Sequence, residues 1–350
     1  MLTVKRTLIR LVCSLALSAG FLVTLSPIPA SQAVGSDSAY NFVRVVVSGD
    51  GTQIYAANNN GGIWRSSDEG RTWTRTNAAT KSWQTLAVSQ NGNIIFATES
   101  STQQMWKSTD SGTTWSVVSA AGTKNWRSIS ISSDATKLAG ITDSTADLWQ
   151  SNDGGDSWTS NSTIPKFIDN ASNPTTGRFN GCAAPHVPVP SWFGLTMSGT
   201  GQNIAVTNGG HMCEYEGDRQ VFTSDDFGVT WYQQTGCCRD VINYNSITSS
   251  RSETNWTIAM GGYQSGMGIG TWSSTSHSYS FVGGSMYANL ADTYPINTFD
   301  WGKFALSSNG SKLIAAGRYN GWTAGQTGQN ENLYSGTAGS RIEAVAHDSS

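Results

Sequence analysis

An eight-residue phrase written "SSDEGRTW" at 66–73 returns as "STDSGTTW" at 108–115, "SNDGGDSW" at 151–158 and "SDDFGVTW" at 224–231. Repetition at a steady period constrains a fold more than any single motif, because every unit must be the same small structure packed on its neighbours. The first three copies lie 42 and 43 residues apart, within the ~40–45 residues of a four-stranded propeller blade.

A second phrase, alternating and led by an aromatic, precedes each box: "FVRVVVSGDGTQIYAA" (42–57), "WQTLAVSQNGNIIFAT" (83–98), "WRSISISSDATKLAGI" (126–141) and "WFGLTMSGTGQNIAVT" (192–207). It returns as "NSITSSRSETNWTIAMGG" (245–262) and "WGKFALSSNGSKLIAAG" (301–317). Each copy reads as strand, tight turn, strand. A third strand leads into the box through "IWRS" (63–66), "MWKS" (105–108), "LWQS" (148–151) and "VFTS" (221–224), with weaker forms "TWSS" (271–274) and "LYSG" (333–336). A fourth begins at the box Trp. In unit five the box decays to "STSHSYSF" (274–281).

One small sheet cannot bury its own faces, whereas blades arranged radially bury each against the next. The pattern therefore predicts an all-β chain, a β-propeller of four-stranded antiparallel blades, six in number. A seven-bladed ring is the alternative, because "RIEAVAHDSS" (341–350) reads either as the outer strand of unit six or as a strand closing the ring with the N-terminus.

Lys5, Arg6 and Arg10, an apolar run over about 11–25 and small residues at Ser31 and Ala33 predict a secretory signal peptide over 1–33. Residues 34–350 are then expected to form a single exported propeller domain, with long loop insertions in blades four to six. Without the leader the chain carries 18 Lys and Arg against 24 Asp and Glu, a balance of −6 with no basic run, which argues against a nucleic-acid partner. No later stretch approaches the ~20 apolar residues of a membrane span. A monomer without cofactor or metal is expected. Of five cysteines, Cys13 lies in the leader; Cys182, Cys213, Cys237 and Cys238 suggest two disulfides in an exported chain, their pairing left open.

Every box residue has a reason to belong to the frame. Asp68, Asp110, Asp153 and Asp226 can accept turn N–H groups, the Gly two residues on can take a positive φ, and the Trp offers a broad apolar plane. Asp153 and Asp156 lack the carboxylate spacing of an EF-hand.

The four boxes resemble the Asp-box (BNR) repeat, shared by sialidases, xyloglucanase-type hydrolases, sortilin-type receptors and photosystem II assembly-factor propellers. That resemblance covers about 40–346 and implies a propeller in which the box marks the fold and lies far from the ligand. It does not extend to the catalytic signatures. The Arg-Ile-Pro of sialidases is missing, since Ile164-Pro165 follows Thr163. The xyloglucanase-type "YARTDVGGAYR" is matched by "YAANNNGGIWR" (55–65), with Asn59 where that family's catalytic Asp stands; an amide cannot serve as a general acid or base.

Short turns and boxes fall on one face, and the long connections fall on the other, where loops on a rigid scaffold commonly carry binding. "NGGHMCEYEGDR" (208–219) is the most chemical of them. His211, Glu214, Tyr215 and Asp218 are the candidate catalytic groups; Arg219, His186, Arg239, Asp240, Trp322 and Tyr263 are the candidate ligand contacts, the aromatics suiting sugar rings. The expected partner is an extracellular glycan or protein bound without catalysis, with a glycosidase or polysaccharide lyase as the alternative. Sequons begin at Asn161, Asn170, Asn255 and Asn309.

Overall fold

The computed structural model describes residues 42–68, 72–143, 147–164, 192–208, 221–234, 246–253, 256–261, 267–273, 278–281, 299–306, 308–310, 312–319, 331–337 and 342–347. Blade one comprises β1 (Phe42–Val47), β2 (Ile54–Gly61), β3 (Ile63–Ser66) and β4 (Thr74–Arg75); blade two comprises β5 (Lys81–Val88), β6 (Ile95–Glu99), β7 (Met105–Ser108) and β8 (Ser116–Val117). Blade three is β9 (Trp126–Ile131), β10 (Leu138–Thr142), β11 (Leu148–Ser151) and β12 (Thr159–Asn161); blade four is β13 (Trp192–Met197), β14 (Ile204–Asn208), β15 (Val221–Ser224) and β16 (Tyr232–Gln234). Blade five is β17 (Ser246–Ser249), β18 (Thr257–Gly261), β19 (Met267–Ser273) and β20 (Ser278–Phe281), and blade six is β21 (Phe299–Leu306), β22 (Lys312–Tyr319), β23 (Glu331–Thr337) and β24 (Ile342–His347).

All pairing within the blades is antiparallel and sequential, and β24 pairs with β23. The C-terminal segment is therefore the outer strand of blade six, which settles the choice between six and seven blades among the described strands. Blades one and two are also joined directly, Asn59 pairing with Ser82 and Gly61 with Lys81 across the seam.

The core lies between blades. Tyr55, Ala57 and Ile63 of blade one pack with Trp83, Leu86 and Ile95 of blade two. The same sandwich recurs between blades two and three, three and four, and four and five. This is the burial that one sheet could not achieve alone.

The box works as the sequence suggests. The first Ser donates to the Asp Oδ1 at 2.8 Å in Ser66–Asp68, 2.9 Å in Ser108–Asp110 and 2.8 Å in both Ser151–Asp153 and Ser224–Asp226. The same Oδ1 accepts the backbone N–H four residues on, from Thr72, Thr114, Ser157 and Thr230. Gly112, Gly155 and Gly228 sit at φ of 90°, 97° and 84°, where a β-carbon would be strained. The Trp indoles of 115, 158 and 231 return their N–H to the carbonyls of these glycines at 3.0, 3.2 and 3.0 Å.

Boxes also latch the ring. Ser111, Gly154 and Phe227 donate backbone N–H groups to Asn93, Thr136 and Gln202 in the inner turn of their own blade. Gly112 O accepts from Asn77 N, and Gly228 O from Asn161 Nδ2, each donor belonging to the preceding blade. The amide of Asn161, one of the sequons, is thus committed to the blade interface.

Hydrogen bonds to the ionised carboxylates, led by those from Thr114 and Ser157, hold Asp110 and Asp153 down to a pKa of about 2. Both folded values lie below the ordinary 3.8, so their stabilising contribution is complete above that pH and lost as pH falls through about 2. The thermal midpoint is expected to hold on acidification to about pH 4 and then fall, less steeply in Asp110→Asn/Asp153→Asn; equal slopes in calorimetry would count against the box turns as the acid-sensitive element.

Candidate functional site at the channel mouth

The innermost strands surround a central cavity of about 160 Å³. At the box side it is closed by a chain of hydrogen bonds running from turn to turn. Asp50 N donates to Gln90 O (3.3 Å), Gln90 N to Ser133 O (2.8 Å), Ser133 N to Gly199 O (2.7 Å), Gly199 N to Arg251 O (3.1 Å) and Arg251 N to Ser308 O (2.7 Å). The Ser308 hydroxyl donates to Gly49 O and returns the chain to blade one. Through this ring, Arg251 of blade five sends its guanidinium inward, donating to Ile131 O of blade three at 2.9 Å and Val88 O of blade two at 2.8 Å. Burial lowers its pKa to about 10, which leaves it charged at neutral pH. The box-side end of the channel is stoppered.

The opposite end is built by a β-bulge repeated at the start of the innermost strands. Register slips between Phe42 and Arg44, Trp83 and Thr85, Trp126 and Ser128, Trp192 and Gly194, and Trp301 and Lys303. A bulge places two residues opposite one and re-aims side chains. Trp83, Trp126 and Trp192 go into the blade interfaces, 2%, 0% and 1% exposed. The following residues, Gln84, Arg127 and Phe193, line a pocket together with Arg44 and Asp143.

Arg127 is fixed there by an ion pair with Asp143 and by its guanidinium lying 3.7 Å from the Phe193 ring centroid. Asp143 is oriented in turn by its own N–H bond to Asn125 O at 2.9 Å. Arg44 also lines the central cavity, and its Nε is buried without a hydrogen-bond partner. Burial, and then the charge of Arg127, lower the Arg44 pKa.

Near this end, Glu99 is a carboxylate already in use. It accepts Ser101 N at 2.9 Å and Thr102 N at 3.1 Å and pairs with Lys81 at 3.9 Å. Burial pushes its pKa up, but the hydrogen bonds from Ser101 and Thr102 with the Lys81 charge outweigh that and leave it below the usual range. Glu99 caps its turn rather than facing the mouth. Asn59 is exposed at the end of β2.

His186, His211, Glu214, Tyr215, Asp218, Arg219, Arg239, Asp240, Tyr263 and Trp322 lie outside the described residues, as do Cys182, Cys213, Cys237 and Cys238. Asn208 and Val221, which flank 209–220, mark the mouth-side ends of β14 and β15. Among the described residues no group of three His, Cys, Asp or Glu is arranged to hold a metal ion, and no helix is long and apolar enough to cross a membrane.

No family model and no curated protein matches the chain. Its likeness is to solved propellers. A GH74 xyloglucanase from Xanthomonas campestris is 14% identical, with 88% of this chain and 46% of that one covered and a TM-score of 0.56. YCF48 from Cyanidioschyzon merolae is 15% identical over 89% and 86%, TM-score 0.52. The Cps50 (Swd1) β-propeller domain of Myceliophteria thermophila is 10% identical over 89% and 86%, TM-score 0.57. The fold is a β-propeller. The chain spans less than half of the xyloglucanase, and at such identities the likeness carries architecture and not activity.

Proposed function

We propose that the protein is an exported, non-catalytic β-propeller that binds a glycan or protein ligand on the face opposite the boxes. The observation that carries this reading is the asymmetry of the channel among the described residues, stoppered by Arg251 and the turn ring at the box side and forming a pocket at the other end among Arg44, Gln84, Arg127, Asp143 and Phe193. Ligand sites are concave, carry a few fixed polar groups and recur in the mouths of β-barrels, which this end of the channel parallels. Asn59 at the Asp position of the xyloglucanase-like segment, and Glu99 tied up in its turn, favour binding over hydrolysis.

The test is a polysaccharide panel scored for retention and for release of reducing or unsaturated ends. Retention without turnover is expected, with Glu214→Gln and Asp218→Asn leaving retention in place. Turnover that both substitutions abolish would replace this reading with a hydrolase or lyase acting through the 208–243 loops.

A further inference from the structure

We infer that the channel mouth contains an anion site in which Arg44 and Arg127 receive the carboxylate of a sugar acid while Gln84 and Asp143 take the hydroxyls beside it. The inference rests on the ligand-binding face proposed above and names the chemistry of its ligand.

Arg44 is, first, a misfit between residue and position. At the register of Arg44, directly after the bulge, the innermost strands of blades two, three and four carry Thr85, Ser128 and Gly194. Between blades four and five this register is tight, since a β-carbon at Gly194 would lie 2.6 Å from Ile247 Cγ2 of the next blade. Blade packing thus asks for a small side chain, yet blade one supplies a guanidinium, and blade six places Lys303 at the same register. Packing does not account for a cation here.

Second, Arg44 is costly to bury as it stands. Arg44 has a buried Nε without a hydrogen-bond partner and faces a second guanidinium, while the nearby carboxylate, Asp143, is paired with Arg127. An arriving carboxylate supplies that partner. Arg127 is already oriented by Asp143 and Phe193, so little ordering remains when a bidentate acceptor arrives.

Third, among the described residues the box-side turns are rich in carboxylates. Asp50, Asp110, Asp134, Asp153, Asp226 and Glu253 all lie on the box-side turns. Their field disfavours an anion at that face, whereas Arg44 and Arg127 attract one at the other.

Asp143 decides between ligand classes. Its carboxylate beside the two cations repels a second acid but accepts hydroxyl donors, so a single charge flanked by hydroxyls fits better than a run of acidic residues. A uronic acid ring has that pattern.

The test is isothermal titration with sodium glucuronate and with glucose, on the wild type, Arg44→Thr and Arg127→Met. Arg44→Thr installs the residue that blade two carries at this register and is expected to fold. Glucuronate binding that weakens at least about tenfold in each variant and declines as salt shortens the screening length, with no measurable glucose binding, is the expected result. Unchanged glucuronate affinity in Arg44→Thr, absence of glucuronate binding, or equal binding of glucose overturns the site. Tighter binding of a short poly-aspartate peptide than of glucuronate, lost in Arg44→Thr, overturns the sugar assignment. Polysaccharide retention that Arg44→Thr leaves intact would preserve the proposed ligand face and remove the anion site from it; glucuronate binding through Arg44 with an entirely unretained panel would do the reverse.

Discussion

Trp126→Ala is expected to destabilise the protein by about 4 kcal/mol, the usual cost of emptying a fully buried indole site, and to lower the thermal midpoint by roughly 10 °C. Trp126 is 0% exposed and lies between blades two and three, against Phe96, Met105 and Val118 on one side and Ile129 and Leu138 on the other. The box Trp158 packs on it with ring centroids 5.4 Å apart. Its site is shaped for an indole. Gly140 packs directly against the ring, a β-carbon there falling 2.5 Å from Trp126 Cζ3, so on that side no side chain is present to relax into the void. Trp126→Phe retains most of the apolar contact and removes an indole N–H that has no partner, and should cost about 1–2 kcal/mol. A loss below about 1 kcal/mol for the alanine variant in urea unfolding would show that the blade interface is not the main store of stability.

Arg251→Met carries the second large effect, a loss of about 3 kcal/mol. The substitution keeps the apolar stem and removes the donors to Val88 O and Ile131 O. Hydrogen bonds from a charged donor contribute ~1.5–3 kcal/mol each, and the carbonyls they leave behind stay enclosed. Relief from burying a charge offsets part of that loss. Arg251→Lys should recover less than half of it, because an ammonium on a flexible stem does not reproduce the planar fork that reaches two blades. Stability within about 0.5 kcal/mol of wild type in the Met variant would contradict the stopper.

The blades were legible because their signal is periodic. The repeated strand–turn–strand phrase and the box fix four strands per unit, and the box chemistry of Ser108, Asp110, Gly112 and Trp115 follows from turn geometry that is local in the chain. Features that depend on residues far apart in sequence were not legible. Arg251 stands in a short polar turn, "SSRSETN", and reads as a solvated charge; it points inward because the turns of all six blades converge on one axis. The mouth was missed for a related reason. Period-two alternation treats Gln84, Arg127 and Phe193 as ordinary strand positions, whereas the bulge after the leading aromatic turns them to the pocket. A signal for Arg44 was present in the repeat alignment, where Thr, Ser and Gly occupy the same place in three other units. The chemistry of the 208–219 loop is legible in the sequence, but 209–219 lie outside the described residues.

On the proposed function, ligand enters at the mouth while the box side is closed. Hydrogen–deuterium exchange with and without a polysaccharide retained by the protein tests it most directly. Ligand-dependent protection is expected at the strand starts 42–44, 83–85, 126–128 and 192–194, with exchange in the boxes 108–115, 151–158 and 224–231 unchanged. Protection concentrated in the boxes, with the strand starts unaffected, would place the ligand on the opposite face and contradict the claim.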